Sequence, residues 1–115
     1  MPIEIVREPV ALSHLEELAR GMFGSLVKTV VDVEQQIMAI GGELHADEEA
    51  MLLDLGSGQR ALWGINLYPE QRGSAAWIEF DSMTNVRPGQ GNRSRSVEDP
   101  ATRAQIVEIV DRLVE

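Results

Sequence analysis

Between Leu26 and Glu34, five of nine residues are β-branched: Val27, Thr29, Val30, Val31 and Val33. Two heavy atoms on Cβ crowd a helix but fit a pleated surface, so this stretch selects a strand. Alternation then sets Thr29, Val31 and Val33 on one face and Lys28, Asp32 and Glu34 on the other. A strand needs a neighbour. Gln35-Gln36 is a tight connection, Ile37 to Ile40 reads as the returning strand, and Gly41-Gly42 allows a bulge or sharp bend after it.

The other elements are read around this hairpin. Pro2 to Arg7 alternates, Ile3 and Ile5 against Glu4 and Val6, as a short edge strand that Pro9 breaks. Ser13-His14-Leu15-Glu16 has the capping-box pattern. Leu15, Leu18, Ala19 and Met22 follow at helical spacing, and Gly21 and Gly24 close the helix. Glu43 to Leu55 is mixed. Ala46 to Leu53 carries helix formers, yet Met51, Leu53 and Leu55 alternate with Leu52 and Asp54, which favours a strand from about Ala50. Gly56-Ser57-Gly58 turns the chain, and Leu62 to Tyr68 returns as a strand ended by Pro69. Trp77 to Val86 is the last strand, and Pro88 ends it. Asp99-Pro100 places an N-cap and an N1 proline before the apolar stripe Ile106, Ile109, Val110 and Leu113. The expected fold is α+β: a mainly antiparallel sheet of about five or six strands, with an N-terminal and a C-terminal helix packed on one face.

Composition bounds what such a fold can do. With 115 residues, no internal repeat and no linker, residues 1–115 are expected to form one globular domain. The absence of cysteine excludes a disulfide framework, a thiolate zinc site and a cysteine nucleophile. The chain starts Met-Pro-Ile-Glu without the basic and apolar regions of a signal peptide, and no apolar run is long enough for a membrane span. A soluble, cytoplasmic protein is expected. The formal net charge of -9 argues against non-specific nucleic-acid binding, which needs a basic face to release counterions.

Several stretches carry the resemblance to a known family: Gly41-Gly42-Glu43-Leu44-His45-Ala46-Asp47, Leu62-Trp63-Gly64, Ile78-Glu79-Phe80-Asp81-Ser82, Asn85-Val86-Arg87-Pro88 and Gly91-Asn92-Arg93-Ser94-Arg95. With these motifs over nearly its whole length, the chain resembles a family of small uncharacterised prokaryotic proteins. The resemblance implies no activity and no cofactor.

The functional hint is a basic loop in an acidic protein. Arg87, Arg93 and Arg95 have no acid between them, and Gly89, Gly91 and Asn92 intervene. Guanidinium groups and closely approaching backbone amides suit a phosphate or carboxylate. The expectation is that Arg87, Gly89, Gly91, Asn92, Arg93 and Arg95 hold a small anionic ligand or an acidic partner, in a binding or regulatory module. The competing reading is that the arginines pair with the protein's own carboxylates and pin the loop. A second candidate is a metal or acid/base site. On a strand, Glu43, His45 and Asp47 would share one face, and Glu79 and Asp81 would share another. Imidazole and carboxylates together bind divalent metals, so His45, Asp47 and Asp81, with Glu43, would make a small hydrolase of phosphoesters. The competing reading there is an ordinary polar strand face and no metal. Pro2, exposed by loss of Met1, offers a third, because the chain starts Pro-Ile on a strand as members of the tautomerase superfamily do; Pro9 departs from their pattern. Trp63 and Tyr68 could line a pocket or a subunit interface, and paired sheet edges would give a homodimer. His14 is expected to be solvated.

Overall fold

The computed structural model describes residues 2–115. Its elements are β1 (Glu4–Val6), α1 (Leu12–Gly21), β2 (Val27–Asp32), β3 (Ile37–Ile40), α2 (His45–Asp54), β4 (Leu62–Leu67), β5 (Ile78–Glu79) and α3 (Pro100–Leu113). The five strands form one antiparallel sheet in the order β1-β3-β2-β4-β5. The fold is α+β, and the β-branched run is its central strand.

The alternation predicted for β2 holds, but both of its faces are covered. Val27, Thr29 and Val31 are buried on the face where Leu15 and Leu18 of α1 and Ile106, Val110 and Leu113 of α3 pack with Trp63, Ile65 and Leu67 of β4. On the opposite face Val30 packs with Ile37, Ala39, Leu62 and Leu52 of α2. The expectation of a sheet covered on one face is corrected by α2, a helix where a strand from Ala50 was expected. Its buried stripe is His45, Glu48 and Leu52, two of which are polar. Leu53 and Leu55, which carried the apparent alternation, are exposed. The Asp47 carboxylate in its first turn favours the positive end of the helix dipole.

Two boundaries also differ from the sequence reading. α1 is capped at Ala11 with no side-chain hydrogen bond, so Ser13 and Glu16 form no capping box. The physical reason is tertiary. Val10 donates to the Leu113 carbonyl (2.9 Å) and accepts from the Glu115 amide (2.9 Å), which fixes where the chain turns into the helix. His14, expected to be solvated, is half-buried and bonds the Glu4 carboxylate at 2.8 Å. The last strand is only Ile78–Glu79, not Trp77 to Val86. Beyond it the chain leaves the sheet for a 3-10 turn at Met83–Asn85.

The predicted start of α3 is found as read. Asp99 accepts from the Thr102 amide (3.3 Å) and the Thr102 hydroxyl (2.8 Å), and Pro100 opens the helix. These bonds, the Thr102 hydroxyl foremost, hold the Asp99 carboxyl below its ordinary pKa. Asp99→Ala is expected to lower the thermal unfolding midpoint by a few degrees, and an unchanged midpoint in a calorimetric scan would contradict the cap.

Candidate functional site

The basic loop is a closed turn. The Arg87 amide donates to the Asn92 carbonyl (2.7 Å) and the Asn92 amide donates back to Arg87 (3.1 Å). Between them Pro88–Gln90 makes a 3-10 turn, and Gly91 at φ +85° supplies the left-handed residue that ends it. Gly91 thus serves the turn, while Gly89 is exposed on its outside. Asn92 is buried at 4% exposure. Its side-chain amide donates to the carbonyls of Asn85, Ser94 and Ser96, and its side-chain oxygen accepts from the Glu98 amide. Asn92 therefore organises the loop from within.

The three arginines of the loop have different fates. Arg87 turns inward. Its guanidinium donates to the carbonyls of Gln59 and Leu62 and lies 4.2 Å over the Trp63 ring. Burial pushes its pKa down from the ordinary arginine value, against the opposing effect of Glu49. Arg95 donates to Asp81 at 2.6 Å, so Asp81 does not point back along its strand, away from the arginines. Arg93 has no side-chain acceptor among the described residues. The backbone amides of Arg93 and Ser94 do converge on a carboxylate oxygen, as an anion site would require, and that oxygen is Oε2 of Glu98, at 2.9 and 2.8 Å. Hydrogen bonds from Ser94 and from the Arg93 amide, with a smaller contribution from the Arg93 charge, hold the Glu98 carboxyl below its ordinary pKa. The loop's own anion thus fills the amide concavity.

A fourth arginine joins the loop from outside the stretch the sequence singled out. Arg60 precedes β4, and its carbonyl accepts from the Gln90 side chain at 2.8 Å. Its charge is close enough to help lower the pKa of Arg87. Like Arg93, its guanidinium has no acceptor among the described residues.

Two residues that hold this region escaped the sequence reading. Where β5 leaves the sheet, the Asn85 side chain takes over as the partner of Gly64 on β4. It accepts from the Gly64 amide (2.8 Å) and donates to the Gly64 carbonyl (2.9 Å), with a further bond to the Arg95 carbonyl (3.0 Å). A side-chain amide here replaces a strand residue. Gly64 is required by the same packing, since a Cβ there would lie 2.6 Å from the Ser82 side chain and 2.8 Å from the Thr84 hydroxyl.

The candidate metal residues do not form one cluster, although Asp81 lies close enough to His45 for its charge to act on the imidazole. Glu43 lies in the bend before α2 and is exposed. His45 and Asp47 are two helical steps apart, so the buried imidazole and the exposed carboxylate point to different sides of α2. The shared strand face expected for Glu43, His45 and Asp47 does not exist. Nor do Glu79 and Asp81 share a strand, because β5 ends at Glu79. Among the described residues no three His, Asp or Glu side chains are grouped to hold a metal. His45 Nε2 lies 2.8 Å from the Ile65 carbonyl, so that nitrogen carries the proton. Burial lowers the His45 pKa, partly offset by the Ile65 bond. Beside it, Glu48 is fully buried and accepts from the Gly42 amide at 3.0 Å. Burial pushes the Glu48 carboxyl up to about 9, so it is protonated at neutral pH. Gly42 gives way to it, since a Cβ there would meet the Glu48 side chain at 2.8 Å. The amine reading of Pro2 depends on Met1, which lies outside the described residues. Trp63 is buried beneath Arg87, while Tyr68, half-buried, lies beside one of the surface clefts. No helix among the described residues is long and apolar enough to cross a membrane.

No curated protein and no solved structure matches the chain. A family model described as "Protein of unknown function (DUF5674)" matches residues 4–113, which takes in the basic loop, α2 and every strand. The chain belongs to this family of proteins of unknown function.

Proposed function

We propose that the chain is a non-catalytic binding or regulatory module that receives an anionic group, a phosphate or a carboxylate on a small ligand or an acidic partner, at its arginine-rich pole. The observation that carries this reading is that Arg60 and Arg93 flank a pinned loop with no acceptor of their own among the described residues. Five of the ten basic residues, Arg60, Arg87, Arg93, Arg95 and Arg103, belong to or border this loop in a chain of net charge -9. Arg87 and Arg103 hold the platform rather than the ligand. Arg103 donates to the Val97 carbonyl and the Ser96 hydroxyl, both at 2.6 Å, and lies 4.3 Å over the Phe80 ring. A preordered loop loses little entropy when it engages a ligand, which favours binding. Arg95 can exchange Asp81 for an incoming anion, because both side chains are half-exposed.

Hydrolysis through His45, Asp47 and Asp81 has less support, since the imidazole is bonded to a backbone carbonyl and Asp47 lies on another side of α2. The test is a titration with inorganic phosphate and with a poly-aspartate peptide, followed by backbone amide shifts. Binding should weaken with added salt and fall roughly tenfold or more in the Arg60→Ala/Arg93→Ala double variant. No anion-dependent shift in the wild type, or equal binding by the double variant, would overturn the reading.

A further inference from the structure

We propose that the free edge of β5 receives an extended peptide segment in which apolar and basic residues alternate. This site adjoins the arginine-rich pole at Phe80, on which Arg103 stacks, and uses neither Arg60 nor Arg93. β5 is the last strand of the sheet. Glu79 pairs with Asn66, and the Tyr68 amide donates to the Trp77 carbonyl at 2.9 Å. In an antiparallel pair the residue between two such partners turns its amide and carbonyl the other way, so those of Ile78 point outward from the sheet.

A cleft lies on each side of this edge. One, of about 540 Å³, is lined by Trp77, Phe80, Arg72 and, from α3, Val107 and Asp111. The other, of about 520 Å³, is lined by Tyr68, Gln71, Ala76 and Glu79. Ala75 and Ile78 belong to both, so the clefts meet at the strand edge. Neighbouring side chains of an added strand point to opposite faces, so consecutive residues would enter different clefts.

Both clefts are more apolar than polar, and the first carries Arg72 and Asp111 at its rim, so what sets the second apart is an ordered carboxylate. The cation of the first is engaged: Arg72 lies 5.3 Å over the Trp77 ring and donates to the Glu115 carbonyl at 3.3 Å. Trp77 is 4% exposed, and its buried indole N–H has no acceptor among the described residues, so the ring resonance reports on any change in this cleft. In the second cleft Asn66 (2.8 Å) and the Tyr68 hydroxyl (3.0 Å) both donate to Oε1 of Glu79. They fix the carboxylate and leave its Oε2 without a hydrogen bond among the described residues. An ordered carboxylate beside an aromatic ring recognises a guanidinium or an ammonium. Charge also selects against a second copy of this chain, because each copy carries a net charge of -9 and pairing like edges would bring two Glu79 carboxylates together.

The probe is a capped peptide alternating valine and arginine, with its valine–glutamate counterpart as control. Amide shifts confined to Trp77–Phe80, a shifted Trp77 indole resonance and slowed exchange of the Ile78 amide are expected with the basic peptide alone. Glu79→Gln keeps an acceptor for Asn66 and Tyr68, so it should fold normally and bind roughly tenfold more weakly. Val107→Glu, at an exposed position, should also weaken binding. Arg60→Ala/Arg93→Ala should bind this peptide as the wild type does, so failure here and failure at the arginine-rich pole are distinguishable. Absence of binding, equal binding of the acidic peptide, or unchanged affinity in Glu79→Gln would overturn the proposal. So would protection of Ile78 that rises with protein concentration in the absence of peptide, because it would make the occupant a second copy.

Discussion

Replacing Asn85 with alanine is expected to lower the unfolding free energy by roughly 3 kcal/mol or more, since each buried polar group left without a partner costs about 1–3 kcal/mol. Asn85 is fully buried. Its side chain is the partner of both backbone groups of Gly64 and of the Arg95 carbonyl. Truncation leaves the Gly64 amide and carbonyl without a side-chain partner inside the fold, while the Arg95 carbonyl keeps the Ser82 amide at 3.0 Å. Asn85→Asp is the informative companion. It retains an acceptor for the Gly64 amide but loses the donor to two carbonyls, so it should also destabilise strongly. Equilibrium denaturation of both variants checks the account. If either were as stable as the wild type, the side-chain amide would not be the substitute for a strand residue opposite Gly64.

The second large effect is on pH dependence. Glu48 has a folded-state pKa raised from 4.5 to about 9. The cause is burial, with the Gly42 amide and Lys28 pulling weakly the other way. The folded protein therefore keeps a proton that the unfolded chain has released. A raised pKa contributes stability that is full below the unfolded value and lost as pH rises through the folded one. Stability should thus decline from about pH 4.5 to about pH 9. At neutral pH the loss amounts to roughly 3 kcal/mol, at 1.36 kcal/mol per pH unit. Glu48→Gln is neutral at every pH and retains an acceptor for Gly42. It should flatten this decline and be more stable than the wild type at pH 7, by up to roughly 3 kcal/mol. Urea midpoints measured across this range check it. Parallel pH profiles for the two proteins would show that Glu48 does not carry the proton.

Much of the fold was legible because its signals are local. The β-branched run set β2, the Asp99-Pro100 pair set the start of α3, and Ile106, Ile109, Val110 and Leu113 are all buried as their spacing requires. α2 was not legible, for a physical reason. Its buried stripe depends on Glu48 being protonated and on His45 finding the Ile65 carbonyl, and neither follows from hydrophobicity. The site was legible in position and not in wiring. The stretch from Trp77 to Asp99 does contain the loop. The acceptors that engage Arg87 are carbonyls of Gln59 and Leu62, distant in sequence and unmarked by residue type. Arg60 was missed for the same reason, because only the fold brings it beside Gln90. One hint was available: a glycine inside a strand pattern, Gly64, marks a close approach of other groups.

A loop pinned by its own side chains leaves Arg60 and Arg93 to hold an anion. The most direct measurement follows the Nε–H resonances of the arginines by NMR while a poly-aspartate peptide is added. The Arg60 and Arg93 signals should shift together, the shifts should shrink with added salt, and the Arg87 signal should stay in place. Arg60 and Arg93 signals that never move, or an Arg87 signal that moves with them, would contradict it.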